Sequence, residues 1–116
     1  MKRKFRLRSS TDFKRVRRLG KSYAHPLIVL IKHPNEVNIS RFGVAAGRSI
    51  GNAVERNRSK RRIREIIRIQ IPKIQTGWDI IFLARQPMKD ASFAELQAAV
   101  DQLIERAGIS LNNDVL

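Results

Sequence analysis

GNAVERNRSKRRIREIIR, running from Gly51 to Arg68, is the stretch on which the fold turns. Asn52 offers a cap oxygen, and Glu55, three residues on, is placed to reach back in a capping-box arrangement. At about 100° per residue, Ile63, Ile66 and Ile67 fall on one side, so the segment is a helix with an apolar face that docks on a sheet. Pro72 stops it near Gln70. The same segment holds seven cations, Arg56, Arg58, Lys60, Arg61, Arg62, Arg64 and Arg68, against Glu55 and Glu65. Asn57, Arg61, Arg64 and Arg68 recur at i, i+4, i+7 and i+11 as a stripe beside the apolar face, each step advancing roughly one 5.4 Å turn. Guanidiniums in such a row clamp successive phosphates bidentately, as lysines do not. Arg56 and Lys60 project toward the margin of the apolar side, and Arg58 and Arg62 point the other way. Charge on a helix usually forms a solvated face, but such a face interleaves signs for pairing. Same-sign crowding here calls for a polyanion as counterion.

Upstream of this helix, Gly47, Ser49 and Gly51 break a strand near residues 41–46. Residues 23–33 include Leu27, Ile28, Val29, Leu30 and Ile31 and read as another strand, with Pro26 tolerable near its start or on an edge. Pro34, Asn35, Glu36 and Asn38 supply turn chemistry between the two, which predicts an antiparallel hairpin. Earlier still, Ser9, Ser10, Thr11 and Asp12 offer cap oxygens for a short helix reaching Leu19, with Phe13 and Val16 on one face. Gly20 is placed to end it in a left-handed turn. Downstream, residues 78–84 are an almost continuous apolar run, read as a strand buried on both faces. The last helix begins at Ser92 with Glu95 as box partner and carries Phe93, Leu96, Val100, Leu103, Ile104 and Ala107 at helical spacing, stopping at Gly108. This order predicts an α+β fold, a small sheet with helices packed against it. Only the strand-helix-strand unit around 52–70 is a candidate parallel crossover.

Over the full 116 residues the formal charge is +14, and its distribution is uneven. Residues 1–68 carry 20 Lys and Arg against 4 Asp and Glu, whereas residues 69–116 carry 4 against 6. The first part reads as a polyanion-facing surface and the last as scaffold. The length suits one domain spanning 1–116, with residues 1–8 as a basic arm and 109–116 as a mobile tail. The arm has cations at 2, 3, 4, 6 and 8 with Phe5 and Leu7 between them; its bland reading is a disordered, solubilising tail. No apolar run long enough to span a bilayer and no secretory signal is evident, so a soluble, cytoplasmic protein is expected. The absence of cysteine excludes disulfides, thiolate zinc sites and a cysteine nucleophile. With His25 and His33 the only histidines and the carboxylates scattered, neither a metal site nor a catalytic set can be assembled. Phe13 and Tyr23 are the rings placed nearest a binding surface, since bases stack on such rings, with a core role an equal reading for Phe13.

The string from Arg48 through Gly51, Asn52, Val54, Arg56, Asn57, Arg58, Lys60, Arg61 and Arg62 to Arg64 closely resembles the signature of the bacterial ribonuclease P protein family, an Arg-Asn-Arg helix following a strand. Arg6-Leu7 with Asp12-Phe13 and Val16 resembles that family's opening helix, and Trp78-Asp79-Ile80-Ile81 to Ala84-Arg85 its last strand. The resemblance implies a four-stranded sheet with three helices in the order α-β-β-β-α-β-α. It places the basic helix in a left-handed βαβ crossover, a rare hand, and the fourth strand between Tyr23 and Gly47. It further implies a protein subunit that assists a catalytic RNA in removing the 5′ leader of precursor tRNA, with Mg2+ held mainly by the RNA subunit and substrate. On this resemblance Arg48, Asn52, Arg56, Asn57, Arg58, Lys60, Arg61, Arg64 and Arg68 face the RNA subunit. Phe13, Val16, Arg17 and Ile31 match a cleft for the single-stranded leader. Arg17 and Ile31 stand where many members carry aromatic rings, which shifts the expected leader contact from stacking toward charge. No protein partner and no membrane are implied. A ribosomal protein or general RNA chaperone is the alternative that charge alone permits. A DNA-binding regulator is a further rival, opposed by the absence of helix-turn-helix spacing or of a zipper beyond Arg68.

Overall fold

The computed structural model describes residues 1–111. Within them the chain runs α1 (Ser10–Leu19), β1 (Lys21–Ala24), β2 (Ile28–Pro34), β3 (Arg41–Ala46), α2 (Ala53–Gln70), β4 (Trp78–Ala84) and α3 (Phe93–Arg106), with short 3-10 turns between them. Side-chain caps set the helix starts. Ser9, Asn52 and Ser92 accept the N–H groups of Asp12, Glu55 and Glu95, and both glutamates return the bond to their cap residue's N–H. Each such cap satisfies a donor that the helix itself cannot. α2 ends at Gln70, just before Pro72.

The strands form one sheet in the order β1-β2-β4-β3. β2 is antiparallel to both β1 and β4, while β3 is parallel to β4, so β3-α2-β4 is the parallel crossover. Two expectations need correcting. Residues 23–33 are not one strand, because the chain turns at Pro26: His25 N–H donates to the Ile28 carbonyl at 3.0 Å, and Leu27 N–H to His25 Nδ1 at 3.0 Å. The fourth strand is therefore β1. Nor do β2 and β3 form a hairpin. β4 lies between them, and the hairpin is β1-β2. The reason lies in β4 itself, whose Ile80, Ile81 and Phe82 are all fully buried. A strand apolar on both faces belongs in the middle of a sheet covered on both sides.

α2 and α3 cover one face, over a core containing Ile28, Leu30, Phe42, Ile63, Ile66, Ile67, Ile80, Phe82, Leu96, Val100 and Leu103. Burying each such side chain stabilises the fold by roughly 1.5–3 kcal/mol. α1 covers part of the other face, where Leu7, Val16, Ile31 and Ile81 form a smaller cluster. Close backbone approach seats it. Gly20 is extended (φ −75°, ψ 161°) and not left-handed as expected, and a Cβ there would lie 2.4 Å from the Val16 carbonyl oxygen and 2.7 Å from Ile31 Cγ2. At Gly43 a Cβ would lie 2.5 Å from Phe13 Cε2, so the ring of Phe13 is bedded on bare β3 backbone.

The amino-terminal arm and the segment after α3 are both better anchored than their composition suggests. Arg6 bridges to Phe42 in parallel, Leu7 N–H donates to the Phe42 carbonyl at 2.8 Å, and Leu7 is buried, so the basic arm lies along the outer edge of β3. Ile109 is buried and its carbonyl accepts Gln75 N–H at 2.8 Å, so the tail expected to be mobile from 109 begins as packed chain. Residues 112–116 of that expected tail lie outside the described residues.

Candidate nucleic-acid interface

α2 packs by Ile63, Ile66 and Ile67, and its two flanks diverge in character. On one flank Asn57, Arg61, Arg64 and Arg68 are all exposed, as the helical spacing predicts. Arg64 shares a recess with Arg6 and Arg8 of the arm, placing this flank on the β3 side. The other flank turns toward the segment before α3. There Arg62 is a structural residue, its guanidinium donating to the Met88 carbonyl at 3.0 Å and the Ala91 carbonyl at 2.5 Å. Arg58 lines a separate recess with Glu55, Lys89 and Asp90. The row is thus Asn57, Arg61, Arg64 and Arg68, with Arg58 apart from it.

Several of the matched residues are already engaged. Asn52 spends its side-chain oxygen on the helix cap, and Arg56 donates to the Gly51 carbonyl at 2.8 Å, fastening the turn that leads into α2. Lys60 is half-buried, and Arg48 is exposed in the turn between β3 and α2. The two acids on α2 neutralise little of the row. Glu55 pairs with Lys89 at 2.8 Å, and this bond, with the cap N–H of Asn52, holds its carboxyl below the usual carboxylate range. Glu65 pairs with Arg68 at 2.5 Å, which lowers the glutamate and raises the arginine. Among the described residues, Arg61 and Arg64 have no carboxylate partner. Unpaired guanidiniums in a row leave a positive field that attracts phosphate.

The opposite face of the sheet holds the residues matched to a leader cleft. Phe13, Val16 and Ile31 do come together, but Val16 and Ile31 are 1% and 5% exposed and belong to the packing beneath α1. Phe13 is half-buried and Arg17 is exposed on α1. Strand register shows what is open. Ser22, Ile31, Ile81 and Gly43 stand opposite one another across the sheet in the row that α1 covers. Two residues along, roughly 7 Å, the next same-face row is Ala24, Val29, Leu83 and Ala45, all exposed or half-buried. An aliphatic shelf therefore runs beside α1, with Val29, Leu83 and Phe13 packed at the margin of the same small cluster. Sequence reading missed it because pairing across four strands is not legible in local patterns.

A charge network anchored on one buried carboxylate reaches α1. Asp79, 2% exposed, accepts Arg41 Nε at 2.9 Å, Arg41 Nη2 at 2.8 Å and Asn35 Nδ2 at 2.9 Å. Arg41 Nη1 then reaches Asp12 of α1 at 3.7 Å. Bonding to Asp79 raises the Arg41 pKa still further above its ordinary value, so this cation is permanent and internally compensated. No group of three or more His, Asp or Glu is placed to hold a metal ion among the described residues. Asp79, Glu55, Glu65 and Asp12 are taken by Arg41, Lys89, Arg68 and Arg15. This donor set does not suit a catalytic metal pair. No helix is long and apolar enough to cross a membrane among the described residues.

A family model described as Ribonuclease P matches residues 1–108. The ribonuclease P protein component of Herpetosiphon aurantiacus is 44% identical over 107 residues, an alignment that covers 92% of this chain and 87% of that protein. Among solved structures, the RNase P protein of Staphylococcus aureus superposes with a TM-score of 0.82 at 33% identity, covering 90% of this chain and 96% of that one. The RNase P protein from Thermotoga maritima gives 0.79 at 30% identity, covering 87% and 96%.

Proposed function

We propose a division of labour from one premise: the chain belongs to the bacterial ribonuclease P protein family. It serves as the protein subunit in removal of the 5′ leader from precursor tRNA. Its task within that enzyme is binding and positioning. The outer flank of α2, with Arg61, Arg64, Arg68 and Asn57, faces the RNA subunit and takes successive phosphates of it. The shelf of Val29 and Leu83 beside Phe13 and Arg17 receives the single-stranded leader. An aliphatic floor with a cationic rim favours charge and general apolar contact over base stacking, so little preference for leader sequence follows. Magnesium belongs to the RNA subunit and substrate. This chain lowers the repulsion between two polyanions brought together by screening their phosphates.

The observation that carries this reading is the row of exposed guanidiniums, of which Arg61 and Arg64 lack a carboxylate partner among the described residues, on a helix whose other side is fixed in the core. The test is affinity of the reconstituted enzyme for precursor tRNA with and without a leader. Adding the protein should tighten binding of the leader-bearing substrate by at least ten-fold more than that of the leaderless one. An equal effect on both would contradict the leader assignment.

A further inference from the structure

The docking of the basic arm on β3 creates a place that the helix alone would not make. Where Arg6 and Leu7 meet Phe42, a recess of about 150 Å³ opens between the arm, β3, α1 and α2. At roughly 30 Å³ per water it holds about five waters, space for a phosphate group and the atoms on either side. Arg6, Arg8 and Arg64 line it together with the Phe13 ring and the β3 backbone at Gly43 and Val44. No acid lines it. None of the three guanidiniums has an ion pair or a side-chain hydrogen bond among the described residues, as is also true of Arg61, but these three converge on one recess.

Three like charges held around one concavity repel each other, and the fold spends order on keeping them there. Leu7 is buried between Arg6 and Arg8, and its N–H bond to Phe42 fixes the backbone that carries both. Arg64 comes from a separate element some fifty residues away in the chain. Such convergence without internal compensation is the arrangement that a multiply accepting anion completes.

We propose that this recess is a dedicated phosphodiester site, in which Arg6, Arg8 and Arg64 jointly hold one backbone phosphate of single-stranded or junctional RNA, with the Phe13 ring walling the nucleoside side. It rests on the RNA-binding reading above and adds the amino-terminal arm to it. The site lies where the α2 row meets the α1 face, so the phosphate comes either from the RNA subunit or from the leader. One group held by three arginines is the chemistry common to both.

The test is a salt titration of the full-length protein and its Arg6→Gln/Arg8→Gln/Arg64→Gln variant. Binding is measured to the RNA subunit, and then, for the reconstituted enzyme, to precursor tRNA with and without leader. One shared phosphate predicts that the log-log slope flattens by roughly 0.7–0.9 in total, and by as much in Arg6→Gln/Arg8→Gln, which keeps Arg64; an unchanged slope in that double variant leaves Arg64 to the α2 row alone and overturns the site. The titration in which the flattening occurs identifies the source. Three independent contacts would flatten it by about three times as much, and solvated charges would leave it unchanged; either result overturns the site. Arg61→Gln serves as the control: if it flattens the slope while the triple variant does not, RNA binding by α2 stands and the recess falls. A measurement on the unsubstituted protein guards against misfolding. Inorganic pyrophosphate should shift the Nε–H resonances of Arg6, Arg8 and Arg64 with one common midpoint, and three unrelated midpoints would refute a joint site.

Discussion

Replacing Arg61 with Gln removes a guanidinium that is exposed and lacks a carboxylate partner among the described residues. If it holds one phosphate of the RNA subunit, its loss returns about one counterion to the nucleic acid. The plot of log K against log salt should then flatten by roughly 0.7–0.9, which over a four-fold rise in salt is about a three-fold difference in affinity. Arg68 sits in the same row but is held by Glu65 at 2.5 Å, with both side chains about half exposed. A phosphate must displace that carboxylate, so Arg68→Gln should flatten the slope less than Arg61→Gln. Glu65→Gln should steepen it by freeing Arg68. The assay is fluorescence anisotropy of labelled RNA subunit titrated with protein at several potassium chloride concentrations. Opposite signs for Arg61→Gln and Glu65→Gln are the signature of a row read as charge. Were both variants to leave the slope unchanged, the assignment of this flank would be refuted.

Asp79→Ala should cost about 3 kcal/mol in urea unfolding, the lower end for breaking a buried pair, because the stranded Arg41 is still 27% exposed and can be partly hydrated. Gly43→Ala pushes a Cβ to 2.5 Å from the Phe13 ring; a loss of about 1–3 kcal/mol is expected by thermal melting, with weaker binding of leader-bearing precursor. Leu83→Glu sets a carboxylate on the shelf and should weaken leader-bearing precursor several-fold while leaving leaderless tRNA unaffected, measured by competition. The Glu95 carboxyl is lowered by the N–H bond from Ser92 and by the Ser92 hydroxyl. A depressed carboxylate contributes stability above its unfolded pKa and loses it as pH falls through the folded one. The melting temperature should therefore drop below about pH 4, and Glu95→Gln should reduce that drop.

The parts of the fold that could be read in advance are those specified locally. The Asn52–Glu55 and Ser92–Glu95 boxes, the stop before Pro72 and the apolar spacing of Ile63, Ile66 and Ile67 are each contained within a few residues, and each is found. Strand pairing was less legible. Pro26 breaks an apolar run without the Gly or Asn that usually announces a hairpin. Insertion of β4 between β2 and β3 is decided by burial of both its faces, more than thirty residues downstream. The site divides similarly. Exposure of Asn57, Arg61, Arg64 and Arg68 follows from helical periodicity, but the engagement of Asn52 in its cap and of Arg56 with Gly51 arises where the helix begins. Val16 and Ile31 are cleft positions by resemblance, yet they are packed under α1, and the open row two residues away is visible only once the register is known. Arg6 and Arg8 were legible as part of a basic arm, but their seating beside Arg64 was not, because the bond that fixes them, Leu7 to Phe42, is long-range.

In the proposed enzyme this chain binds and positions while an RNA does the chemistry. Cleavage of precursor tRNA by the protein alone, by the RNA subunit alone and by the two together, each in magnesium, tests this most directly. The expected result is no cleavage by the protein alone, and cleavage by the RNA that the protein enhances most at low magnesium, where phosphate repulsion is least screened. Correct 5′ processing by RNA-free protein would contradict this division of labour.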